Sequence, residues 1–333
     1  MQKTDALDIR PYQLLCLICR QGRQHPGEPY CHEAQLDKIE AAVRDNPIVP
    51  LTLRCNTSSV FRYQNPGRQF DTPEGVPYND LRDLTILQRL GLTPGATRPA
   101  IDCFSGIPDA IPACAGVCAY PAKEAPGWPA CRYAATGNYE RGLAMGIEKL
   151  IPPRTPAEMQ ATKQSSANAC LQARRLRIRP HHLLCMVCFH AGRADDDVTP
   201  IPADNLAECI AAIQRNPDIQ VELIQGPCMI CPPCPAYHAT ANLCIGGKSM
   251  GLRDEKKDLD TLRRIGLKYG DVRPARELFQ LVFDAIHNTT QVCGFGDGIE
   301  RAREWRVCGG PTGKDVYLRG RQAGLVPAAE LQE

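Results

Sequence analysis

Three cysteines separated by two residues each stand in Cys228-Met-Ile-Cys231-Pro-Pro-Cys234-Pro235, and Cys244 follows. At this spacing consecutive turns can aim thiolates at one centre. Thiolates are soft donors, and they select zinc, copper(I) or iron–sulphur clusters over hard cations. Upstream runs Arg179-Pro180-His181-His182-Leu183-Leu184-Cys185, continuing to Cys188. On a helix His181, Cys185 and Cys188 fall on one stripe. A histidine there can serve as a ligand or move a proton near neutral pH. Arg-Pro-His-His at a helix start also makes an anion-binding corner. His181, His182 and Arg179 are therefore the candidate catalytic or substrate-contacting groups.

Three cysteines at spacing two, a proline after the third and a more distant fourth ligand match the run that holds clusters in bacterial ferredoxins. Zinc usually takes two separated Cys-x2-Cys pairs, and here the third cysteine falls too early for that. The expectation is a [4Fe-4S] cluster on Cys228, Cys231 and Cys234, with structural zinc as the alternative. Cys244, Cys308 and Cys185 are the candidates for the fourth ligand.

An opening of Met-Gln-Lys-Thr-Asp-Ala-Leu-Asp-Ile-Arg-Pro has no apolar core of a secretory signal. No window approaches the roughly 18 apolar residues that span a bilayer. The expected location is the cytoplasm, where stable disulfides are rare, so 18 cysteines need another explanation. Grouped ones read as ligands, and the rest as small buried hydrophobes. A net charge of +2 and an aromatic content of 6% give no reason to expect nucleic acid or a membrane surface as partner.

The chain of 333 residues suggests two domains, and the sequence repeats itself. Residues 9–19 and 178–188 agree at seven of eleven positions. Further landmarks follow in the same order. Asn46-Pro47 matches Asn216-Pro217. Asp83 through Gly91-Leu92 matches Asp258 through Gly266-Leu267. Trp128, Cys131, Tyr139 and Arg141-Gly142 match Trp305, Cys308, Tyr317 and Arg319-Gly320. The reading is a tandem duplication: domain 1–151, a polar linker 152–173 with Cys170 as a free thiol, and domain 174–333. The fold class expected is α+β, two similar helix-rich domains with short strands and Cys-rich metal-binding loops. In the second, a strand at 176–179 leads into helix 181–190. Helix 203–215, strand 219–224, a loop at 227–253, helices 254–265 and 274–287 and a final Cys-Trp loop follow.

The first domain loses the cysteine triple after Cys55. It carries instead Cys103, Cys114, Cys118 and Cys131 as candidate metal ligands, so one or two clusters are expected in the chain.

Arg-Pro-His-His-Leu-Leu-Cys, then Cys-x2-Cys-Pro with a later Cys, then Asp-x-x-x-Leu before Gly-Leu and a terminal Cys/Trp/Cys group resemble a family of small uncharacterised bacterial and archaeal proteins. These are predicted to bind iron–sulphur clusters or metal. The resemblance covers about 176–325 and, in the first half, the opening helix and the end. It implies metal binding and no particular reaction. Gly296 stands where the family's end pattern has a second cysteine.

Three functions stay open on the residues alone. One is a redox or electron-transfer role with a redox partner protein, leaning towards an oxidoreductase. Another is a non-redox cluster enzyme whose open iron site takes a small-molecule substrate. The third is a zinc-stabilised interaction module. No dinucleotide fingerprint, P-loop or nucleophile elbow is present.

Overall fold

The structure, a computed structural model, describes residues 5–25, 27, 29–57, 59–121, 123–124, 126–191, 200–245, 251–293 and 311–325. The chain divides into two compact units, Met1–Pro153 and Arg154–Glu333, each mixing helices with a small sheet. No helix among the described residues is long and apolar enough to cross a membrane.

Unit 1 runs β1 (Leu7–Ile9), α1 (Pro11–Gln21), α2 (Glu33–Asp45), β2 (Pro50–Leu53), α3 (Val76–Leu90), β3 (Ala96–Pro99), α4 (Ala100–Ala110) and α5 (Asn138–Ala144). Strand β2 is central. It pairs in parallel with β1, Leu7 opposite Leu51, and antiparallel with β3, Leu53 opposite Ala96. Pro11 starts α1 because its fixed φ suits the first helical turn and its missing N–H has no partner to lose there. Tyr12, Leu14, Leu15, Leu17 and Ile18 are all buried, as expected of a helix apolar around most of its circumference. Helix α5 crosses α1 at Gly142, where a Cβ would meet the Ile18 carbonyl oxygen at 1.9 Å.

Unit 2 opens with α6 (Pro156–Leu171), β4 (Arg175–Ile178), α7 (His182–Ala191), α8 (Leu206–Arg215) and β5 (Gln220–Leu223). A two-residue pair, β6 (Tyr237–His238) and β7 (Leu243–Cys244), lies inside the long loop. It is followed by α9 (Leu252–Ile265), β8 (Val272–Pro274), α10 (Ala275–Ala285) and α11 (Pro311–Ala323). Strand β5 is central, parallel to β4 with Leu176 opposite Val221 and antiparallel to β8 with Val221 opposite Arg273. The two sheets thus share strand order and directions. At Gly320 of α11 a Cβ would meet the Val187 carbonyl oxygen at 2.3 Å.

Most of 152–173 is the helix α6 and belongs to unit 2, against the expectation of a linker. Thr155 caps it, taking a hydrogen bond from the Glu158 N–H at 3.2 Å while Glu158 reaches back to the Thr155 N–H at 2.7 Å. This capping box and a run of good helix formers outweigh the missing apolar stripe. The helix is fixed instead by buried Cys170, by the Lys163–Glu208 ion pair at 2.6 Å and by the bond from Asn205 to Ser166 at 2.9 Å. Cys170 is therefore a packed side chain, its Sγ 3.6 Å from that of Cys209.

Candidate metal centres

In unit 2, β4 delivers Arg179 and α7 begins at its end, while α9 supplies Asp258. Both carboxylate oxygens of Asp258 are used. Oδ2 accepts from Arg179 Nε at 2.9 Å and Nη2 at 2.7 Å. Oδ1 accepts the His181 backbone N–H at 2.9 Å and lies 2.7 Å from His181 Nδ1. All three residues are buried. Burial, with the nearby cations Lys257 and Arg179 and the His182 ring adding to it, pushes the His181 pKa well below its ordinary value. A neutral ring facing an ionised Asp258 would carry its proton on Nδ1 and leave Nε2 as the lone-pair nitrogen. A carboxylate behind a histidine in this way fixes the tautomer a metal needs.

The ligand atoms of His182, Cys228 and Cys231 all lie within 4.8 Å of one another, and so do those of His181, His182 and Cys185. His182 belongs to both sets and joins them. Its Nδ1 is 3.1 Å from Cys228 Sγ. Zinc–thiolate bonds of about 2.3 Å at tetrahedral angles set sulphurs about 3.8 Å apart, and Cys228 Sγ lies 3.9 Å from Cys231 Sγ. Burial raises the Cys228 thiol, but the bond from Cys231 and the backbone N–H groups of Arg179 and Ile230 outweigh it and lower its pKa. Cys231 is pushed up, first by that shared bond and then by burial. The shared hydrogen bond thus favours ionisation of Cys228 over that of Cys231.

The expected triple is only partly assembled. Cys228, Cys231 and Cys234 do close successive turns, with bonds from the Cys231 N–H to the Cys228 carbonyl at 3.0 Å and from the Cys234 N–H to the Cys231 carbonyl at 2.9 Å. Cys234 nevertheless joins neither compact set, and its carbonyl is held by Arg154 at 2.8 Å. Cys244 sits on β7, its Sγ 3.9 Å from Asp254 Oδ2. Cys308 and Trp305 lie outside the described residues.

In unit 1, Cys16 and Cys19 of α1 meet Cys114, Cys118 and Cys131 of the loop between α4 and α5 around a single cavity. The free space between them is about 20 Å³, room for one water-sized particle. Burial raises all five thiols, Cys19 to about 11 and Cys114 to about 12. Cys103 is elsewhere. It packs in the core on α4, 3% exposed, and burial raises its thiol to about 12. The pairing of Cys16 and Cys19 with the later cysteines is the feature that spacing alone did not supply, because the two segments are about a hundred residues apart.

Arg82 of α3 lines the same cavity at 1% exposure. Its Nη2 donates to Asn79 Oδ1 at 2.7 Å and Thr72 Oγ1 at 3.3 Å, its Nε has no acceptor, and it makes no ion pair among the described residues. Its guanidinium lies 4.0 Å from the Tyr12 ring centroid. It faces Cys16, Cys118 and Cys131, whose ionisation it favours against burial.

No family model, no curated protein and no solved structure matches this chain.

Proposed function

We propose that this protein binds metal at thiolate centres and carries electrons, with an iron–sulphur cluster, [4Fe-4S] by its all-cysteine donor set, in unit 1. One observation carries the reading: a buried guanidinium, Arg82, makes no ion pair among the described residues and stands at the wall of a cavity lined by five cysteines. An unpaired buried cation is costly. Four thiolates around an iron–sulphur core bear net negative charge and supply the missing counter-ion. Bound there, a cluster would take up and release an electron under a positive field.

Unit 2 favours a second kind of centre. Its mixed imidazole–thiolate set is compact, and the 3.9 Å between Cys228 and Cys231 sulphurs suits a single ion such as zinc. His181, His182, Cys185, Cys228 and Cys231 are the available donors. Arg179 then acts through Asp258 by orienting His181.

We also propose that the two units descend from one duplicated sequence. Arg10 and Asp83 pair at 2.5 Å, and Arg179 and Asp258 pair at 2.7 Å. The hydroxyls of Tyr139 and Tyr317 donate to the Ile111 and Ile286 carbonyls at 2.7 and 2.9 Å, each at the end of the preceding long helix.

The test is metal and acid-labile sulphide analysis of protein purified without oxygen, beside a Cys118→Ser variant and a Cys228→Ser variant. Iron and sulphide lost only with Cys118, and zinc lost only with Cys228, is the expected result. Zinc alone in both units would leave a zinc-stabilised module instead.

A further inference from the structure

Tyr30 and Tyr133 stack with ring centroids 4.1 Å apart, and the pair lines two cavities of unit 1. One is the cysteine-lined cavity. The other is a pocket of about 190 Å³, several times the roughly 30 Å³ that a water occupies. Arg23, His25 and Arg141 line it, with Gln24, Thr136 and Asn138, and no carboxylate lines it among the described residues. Arg141 is held in place through its Nε by the Gly22 carbonyl at 3.0 Å and through Nη2 by Asn138. It makes no ion pair among the described residues. Arg23 pairs with Glu33 at 3.4 Å, a long contact that keeps the head group near the pocket.

Two guanidiniums and an imidazole, interleaved with amides and a hydroxyl and backed by aromatic faces, make a recognition surface for an oxyanion carried on a small carbon skeleton. We propose that this pocket, which shares the tyrosine pair with the thiol-lined cavity, binds a small organic oxyanion.

The pocket is also wired to the cysteines. Tyr30 Oη lies 3.2 Å from Cys19 Sγ and accepts from Asn138 Nδ2 at 3.1 Å. A ligand drawing on Asn138 or Tyr30 therefore acts on the hydrogen bond to Cys19. This second part rests on the cluster proposed above. Negative charge bound in that pocket makes reduction of a cluster harder, so occupancy should lower its potential.

The test is calorimetric titration of the full-length, anaerobically purified protein with inorganic phosphate and, separately, succinate. Saturable binding of at least one probe is expected, and whichever binds identifies phosphate or carboxylate as the recognised group. An Arg23→Gln/His25→Gln double variant with unchanged melting temperature should bind at least tenfold more weakly. The Cys118→Ser variant should still bind, which separates this site from the cluster. No saturable heat from either probe, or full affinity in the double variant, would overturn the proposal. Intact binding without iron in the parent protein would remove only the potential shift.

Discussion

Asp258 holds His181 at two points, with one oxygen 2.9 Å from the backbone nitrogen and 2.7 Å from Nδ1. The other oxygen is occupied by Arg179. The carboxylate therefore sets both where α7 begins and which imidazole nitrogen is free. Asp258→Asn removes the charge that holds the tautomer. It should weaken metal retention in unit 2 about 10–100-fold and destabilise the unit by about 3–5 kcal/mol, because Arg179 is left buried without its partner. Competition with a chelator and urea unfolding would check the two effects. Asp83→Asn in unit 1 should show only the stability loss, since Tyr12 occupies the position of His181 there.

Gly142→Ala and Gly320→Ala each press a methyl group onto a backbone carbonyl, that of Ile18 at 1.9 Å or Val187 at 2.3 Å. Backbone cannot yield as a flexible side chain does. Each change should cost about 1–3 kcal/mol or more, read as a lower urea midpoint with little change in slope.

Cys103 offers a pH test away from both centres. Burial raises its thiol from 9.0 to about 12. The folded state thus holds the proton more tightly than the unfolded chain. The associated stability is fully present below about pH 9 and is lost as pH rises towards 12, at up to about 1.4 kcal/mol per pH unit. Alkylation follows the thiolate, so Cys103 should react about a thousandfold more slowly in folded than in unfolded protein at pH 8. Mass spectrometry of pulse-labelled peptides reads this directly.

Much of the fold was legible in the sequence because local signals agreed. Pro11 starts α1 and Pro180 stands two residues ahead of α7, and Gly91 and Gly266 stop helices with φ of 67° and 70°. Strands β3 and β8 were not legible. They are three or four residues long, end in proline and run straight into a helix, so they leave no alternating pattern. Helix α6 was missed because its contacts are few and mostly polar. At the sites, short spacing led to Cys228 and Cys231 but overstated Cys234, and it could not reveal that α1 brings Cys16 and Cys19 to Cys118 and Cys131. That meeting joins segments about a hundred residues apart, which local spacing does not record.

Arg82→Met separates the cavity's charge from its shape. With a negatively charged cluster in place, the substitution removes a stabilising cation, so the cluster should be lost faster and any retained cluster should be harder to reduce. In metal-free protein the same change relieves an unpaired buried charge and should leave stability unchanged or raised. Thermal melts should therefore show a lower midpoint for the loaded variant and an unchanged or higher one for the metal-free variant.

The most direct measurement is the iron and acid-labile sulphide content of oxygen-free protein, taken for the parent chain and for a Cys16→Ser/Cys118→Ser/Cys131→Ser variant. The expected result is near-equal iron and sulphide, about four of each per chain for a [4Fe-4S] centre, with both absent from the variant. A parent protein holding neither, or a variant holding as much as the parent, would contradict a cluster in unit 1.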